Sequence, residues 1–159
     1  LVYFSSFAYL TQFEAAFVAR FPDVALQRQH SGMAAHNRQQ FLERFHQGEP
    51  ILALAVLGGI FGEGIDLVGE KLIGAFIVTL GLPQWNPVNE QLKQRLQQRY
   101  GKGYLYAYLY PGLQKVVQAA GRVIRTDADQ GFVYLLDTRF NDADIRQYLP
   151  SWWHISDLH

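Results

Sequence analysis

Residues 51–57 (Ile-Leu-Ala-Leu-Ala-Val-Leu) form an unbroken apolar run that leads directly into Gly58 and Gly59. A strand with one wet face alternates apolar and polar residues. A run without polar interruption suits a strand buried on both faces of a parallel sheet. Such a strand needs parallel neighbours, and those need long crossover connections that place helices above and below the sheet.

The rest of the chain supplies these parts. Residues 1–4 are apolar and β-prone, and Ser5 and Ser6 precede a helical pattern over residues 9–21. Serines at that junction cap a helix by accepting from its free N–H groups, and the same geometry also binds phosphate. Pro22 and Asp23 close the helix, a short strand begins over residues 24–26, and residues 33–46 read as a second helix with Phe41, Leu42 and Phe45 inward. Residues 72–80 are another β-rich run, broken by Gly81-Leu82-Pro83, and residues 87–100 read as a polar, partly exposed helix. Tyr104, Tyr106, Tyr108 and Tyr110 alternate with Leu105, Ala107 and Leu109, which fits a strand with one packed face or a surface on which bases stack. Residues 131–137 read as a last strand, and residues 141–159 carry Trp152 and Trp153 without an assigned element. Strands alternating with helices at this spacing predict an α/β fold, a mainly parallel sheet with helices on both faces, in one domain over residues 1–159. Ligands in such folds sit where the carboxyl ends of the strands release their loops.

Composition narrows the function. The net charge is zero, so no overall field drives nonspecific nucleic-acid binding. There are no cysteines, which excludes disulfides and thiolate metal sites in this stretch. No apolar run reaches membrane-spanning length and no export signal opens the chain, so the expectation is a protein of the cytoplasm with no membrane partner. The start at Leu1, with a strand already under way, reads as a piece of a longer polypeptide.

Two stretches carry chemistry. Residues 118–125 (Gln-Ala-Ala-Gly-Arg-Val-Ile-Arg), placed on a helix at about 100° per residue, put Gln118, Arg122 and Arg125 in one stripe. Opposite them lie Leu113, Val116, Val117, Ala120, Val123 and Ile124, with Pro111 at a helix start that tolerates it. Paired guanidinium groups suit phosphate recognition, and a solvated face is the plain alternative. The second stretch is the glycine-rich loop over residues 58–69. Gly64 and Gly69 have P-loop spacing, but Glu70 and Lys71 follow where Lys and Ser or Thr are required. Leu67 stands where the dinucleotide fingerprint needs its third glycine. There remains a loop whose glycines allow close backbone approach to a ligand, with Glu63 and Asp66 as its carboxylates, or a loop that uses glycine only for turns. Asp66 could equally hold Gln118 or Arg122 in position. No zinc, calcium or nucleophile-elbow signature is present, and His30, His36 and His46 read as scattered surface residues.

Taken in order, the Tyr3-Phe4-Ser5-Ser6-Phe7 segment, Gly62-Glu63-Gly64-Ile65-Asp66 and Gln118-x-x-Gly121-Arg122-x-x-Arg125 resemble motifs IV, V and VI of the second RecA-like motor domain of a superfamily-two helicase. The Glu-Gly-Ile-Asp sequence and Gly81-Leu82-Pro83 resemble more narrowly the XPD/DinG-like DNA helicases, over residues 1 to about 140. The resemblance implies a RecA-like three-layer sandwich. It implies that Arg122 and Arg125 reach the phosphates of ATP bound by the other motor domain, Arg125 as the γ-phosphate finger, with Gln118 helping to position them. Glu63, Gly64 and Asp66 would line the same nucleotide cleft. Ser5, Ser6, Thr79 and Pro83 would contact single-stranded DNA. ATP and Mg²⁺ are the implied cofactors, with the P-loop lysine, the metal-binding acidic box and any iron–sulfur cluster on the first motor domain. The implied partners are that N-terminal motor domain and DNA, with 5′ to 3′ translocation, a DNA-repair setting and a bacterial nucleoid location. The chain alone is then expected to lack ATPase activity. An RNA-remodelling helicase of the same superfamily and a non-enzymatic α/β binding module are the alternatives.

Overall fold

The structure, a computed structural model, describes residues 1–48, 50–63, 72–123 and 130–157. Its strands are β1 (Val2–Phe4), β2 (Leu26–Arg28), β3 (Leu52–Val56), β4 (Gly74–Ile77) and β5 (Phe132–Leu135). Its α-helices are α1 (Phe7–Arg20), α2 (Ala35–His46), α3 (Ile60–Glu63), α4 (Pro87–Tyr100), α5 (Tyr110–Ala120) and α6 (Ala143–Arg146). The strands form one sheet in the order β2-β3-β1-β4-β5. Every pairing is parallel, with Phe4 opposite Val56 and Tyr3 opposite both Ala55 and Ile77.

Period-two alternation divides the strands between two apolar layers. Tyr3, Ala53, Ala55, Ala75 and Ile77 point to the side of Phe41, Phe45, Phe61, Leu113 and Val116, which come from α2, α3 and α5. Val2, Phe4, Leu54 and Phe76 point to the other side, where α1 brings Leu10 and Phe13. The uninterrupted apolar character of β3 follows from this, because both faces of the strand are covered. Tyr3 is fully buried and its hydroxyl donates to the carbonyl of Phe61 at 3.0 Å, tying the central strand to α3.

Local chemistry sets the ends of the helices. The hydroxyl of Ser6 accepts from the Tyr9 N–H at 3.2 Å, the expected N-cap of α1. Asn86 caps α4 in the same way through Asn89, Pro87 follows in the first turn, and Gly101 closes the helix at φ 69.

The structure corrects several expectations. The second strand is Leu26–Arg28 and starts later than the sequence pattern suggested, while β4 is confined to Gly74–Ile77. The alternating tyrosines are not a strand. Residues 105–109 form a π-helical turn, Leu105–Leu109, in which the Tyr110 N–H donates to the carbonyl of Leu105. Pro111 accounts for it: inside a helix its ring collides with the carbonyl four residues back, and a widened turn relieves that clash. α5 also ends at Ala120, short of the expected single helix through Arg125. Part of the unassigned tail is ordered, as a 3₁₀ turn, Thr138–Asn141, followed by α6. Trp153 and Ile155 pack on the larger apolar layer.

Candidate nucleotide and nucleic-acid interfaces

The carboxyl ends of β1, β3 and β4 release their loops side by side. The Leu57 N–H donates to the Phe4 carbonyl at 2.9 Å, and the Val78 N–H donates to the Tyr3 carbonyl at 3.0 Å. Ser5, Gly58 and Thr79 therefore leave the sheet along one edge. Ser5 is exposed, whereas Ser6 is half-buried and engaged in capping α1. Thr79 is buried and its hydroxyl accepts from the Gly81 N–H at 3.4 Å, so the half-buried Pro83 is the more outward of the two expected contacts in this loop.

Two residues that sequence reasoning did not single out shape this edge. Gln29 is buried, and its Oε1 accepts from the Val56 N–H at 2.9 Å. It thereby holds β3 where that strand turns into Gly58 and Gly59. A Cβ on Gly59 would come within 2.9 Å of the Val56 carbonyl and 3.0 Å of Gln29 Nε2. Lys115 on α5 lays its stem against Gly58, within 3.0 Å of a Cβ placed there. A glutamine directly after a short strand was the available sequence signal for Gln29. Lys115 gave none beyond being a charged residue among apolar neighbours.

α5 connects this edge to the second candidate site. Gly112, in its first turn, lies against the Leu80 carbonyl beyond the carboxyl end of β4. Past its last turn, Val123 lies close against Gly131, which in turn sits beside the Ile73 carbonyl just ahead of β4. The helix thus runs antiparallel to the strands, and at ~1.5 Å per residue it separates the two ends by roughly 16 Å. Gln118 is exposed in the last turn, and Arg122 is half-buried in the tight turns that follow, its N–H donating to Ala119 at 3.2 Å. The expected stripe is therefore split, with Gln118 on the helix and Arg122 beyond it. Arg125, Gly64 and Asp66 lie outside the described residues, and Glu63 is the last residue of α3. Of the expected site residues, Ser5, Ser6, Thr79 and Pro83 share the sheet edge, while Gln118 and Arg122 sit at the far end of α5.

A cleft of ≈ 730 Å³ opens beside Gly121, between β5 and residues 152–157 of the tail. Among the described residues its lining includes Asp137 and Asp157 and no arginine or lysine. The Arg139 guanidinium holds the Asp137 carboxyl below its ordinary range.

Residues 1–156 match the family model of the helicase C-terminal domain, and the chain belongs to that family. It is similar to a probable ATP-dependent helicase of Methanocaldococcus jannaschii, 31% identical over 120 residues that cover 70% of this chain and 18% of that protein. It is also similar to the XPD helicase subunit of general transcription and DNA repair factor IIH of Arabidopsis thaliana, 29% identical over 117 residues, 70% of this chain and 15% of that protein. Among solved structures, an apo form of XPD superposes with a TM-score of 0.73 at 21% identity, covering 92% of this chain and 29% of that one. The fold is RecA-like α/β, and the chain is a C-terminal helicase domain of the XPD-like kind. It spans less than a fifth of the length of the curated relatives it matches. Among the described residues, no helix is long and apolar enough to cross a membrane.

Proposed function

We propose that residues 1–159 are the C-terminal motor domain of an ATP-dependent DNA helicase that works on single-stranded DNA together with an N-terminal motor domain of the same polypeptide. The observation that carries this reading is the course of α5, which joins the loop of Thr79 and Pro83 to Arg122 through one rigid element. In this reading Ser5, Ser6, Thr79 and Pro83 hold the DNA backbone. Arg122 and Arg125 reach the phosphates of ATP bound on the other motor domain, Gln118 positions them, and Glu63, Gly64 and Asp66 line the same cleft.

Phosphoryl transfer needs positioning and charge stabilisation more than covalent chemistry, and a guanidinium supplied from a neighbouring domain meets that need. Mg²⁺, when bound, would neutralise phosphate charge. In this reading its ligands come from the N-terminal motor domain.

The test is Arg125→Ala in the full-length protein. We expect kcat for ATP hydrolysis to fall about a thousandfold while nucleotide affinity stays within a few-fold, because a finger acts in the transition state. Arg122→Ala should behave similarly. Loss of nucleotide binding equal to the loss of rate would overturn the finger role. Hydrolysis by residues 1–159 alone would overturn the half-site reading.

A further inference from the structure

The tyrosines around the π turn have no part in the arrangement described so far. Tyr100, Tyr106 and Tyr110 are 53%, 38% and 41% exposed. Their ring centroids follow one another at 5.9 and 5.5 Å, and the path continues from Tyr110 to Tyr148 at 5.1 Å. Every contact along it is edge-to-face, with interplanar angles of 72°, 61° and 89°, and none of the three pairs is stacked in parallel. Tyr108, on the same turn, differs: it is buried and its hydroxyl donates to Glu90 at 2.8 Å. The exposed rings are therefore not core residues that fall short of burial.

Two further observations indicate what would cover them. The guanidinium of Arg99 stands 5.3 Å from the centroid of the Tyr100 ring, and between residues 87 and 115 the basic residues Lys93, Arg95, Arg99, Lys102 and Lys115 face Glu90 as the single acid, in a chain of zero net charge. Locally positive surface with interleaved aromatic rings is the chemistry of single-strand binding, in which rings stack on bases and cations meet the backbone. The path also begins in the right place. Tyr110 opens α5, and Gly112 two residues later touches the Leu80–Leu82 loop at the sheet edge that carries Ser5 and Pro83. The ring spacing exceeds the ~3.4 Å repeat of stacked bases, so the occupant is an extended strand with its bases parted.

We propose that Tyr100, Tyr106 and Tyr110 form a base-stacking platform that carries single-stranded DNA onward from the carboxyl edge of the sheet. This rests on the motor-domain reading above, and the experiment separates the two. In the full-length protein, binding of a fluorescein-labelled oligo-dT of about 20 nucleotides is followed by anisotropy, together with ATP hydrolysis in the absence of DNA. We expect Tyr106→Leu and Tyr100→Leu to weaken oligo-dT binding roughly ten-fold each, by the same factor at low and high salt, with DNA-free hydrolysis unchanged. Tyr106→Phe should bind as the parent does. An abasic oligonucleotide should bind the parent weakly and lose little more when Tyr106 is replaced, and its comparison with oligo-dT on the parent requires no variant to fold. Parent protein that binds oligo-dT while both leucine variants bind equally well overturns the platform and leaves the motor reading intact. Parent protein that neither binds oligo-dT nor hydrolyses ATP overturns the motor reading and the platform with it.

Discussion

Gly81 and Gly112 meet backbone to backbone: a Cβ on Gly81 would lie 2.9 Å from the Gly112 carbonyl oxygen, and one on Gly112 would lie 2.6 Å from the Leu80 carbonyl oxygen. Gly81 also has φ +67, a conformation that side chains disfavour. The contact seats the first turn of α5 directly on the loop that follows β4.

Gly112→Ala tests the contact. Alanine favours a helix over glycine by about 1 kcal/mol, but backbone overpacking costs about 1–3 kcal/mol, so the net expectation is a loss of stability. Thermal unfolding should show a midpoint lowered by a few degrees. An alanine variant as stable as the parent would mean that the helix start is free to shift.

Gln29 offers a second test. Gln29→Ala leaves the Val56 N–H without its acceptor in a buried setting, which costs about 1–3 kcal/mol in urea unfolding. Gln29→Glu keeps an acceptor at that position and should lose less. Equal losses in the two variants would assign the effect to packing.

The Glu90 carboxylate accepts from Lys93 and then from Tyr108, and both hold it below its ordinary value of 4.5. A depressed carboxylate contributes stability above its unfolded value and loses it as pH falls through the folded one. The link between α4 and the π turn should therefore weaken on acidification below about pH 4.5, with the effect absent in Glu90→Gln. Tyrosine fluorescence followed against pH measures it. A transition unchanged in Glu90→Gln would remove this pair from the account.

Arg146 fixes the tail. Its guanidinium donates to the Phe140 carbonyl at 2.9 Å, to Asn141 Oδ1 at 2.8 Å and to Asp157 Oδ1 at 2.7 Å. Arg146→Ala should release residues 150–157 to limited proteolysis and shift the emission of Trp153. Global stability should fall by no more than about 1 kcal/mol for the exposed ion pair. Unchanged protease resistance would show that Trp153 and Ile155 hold the tail without help.

Legibility in the sequence followed from how local each signal was. The apolar run around Leu54 announced a doubly covered strand, and Ser6 announced a cap, because period and capping are decided within a few residues. The π turn could not be read from alternating tyrosines, since strand and helix both accommodate that pattern, and the widening that Pro111 brings through a backbone clash arises only once the segment is helical. The motif singles out Arg122 as a candidate, but its departure from α5 depends on where the helix terminates. The Gly81–Gly112 contact joins residues far apart in the chain, and neither glycine announces the other.

The widened turn at Leu105–Leu109 inserts, in effect, one residue into a helical path continuing through α5. One residue of helix corresponds to about 100° of rotation and 1.5 Å of rise. The helical surface before the turn, at Tyr104, and the apolar face of α5 behind it are thus indexed separately, with the offset written in chain length. Removing a single residue there would re-aim one surface against the other while every side chain of the core stayed the same.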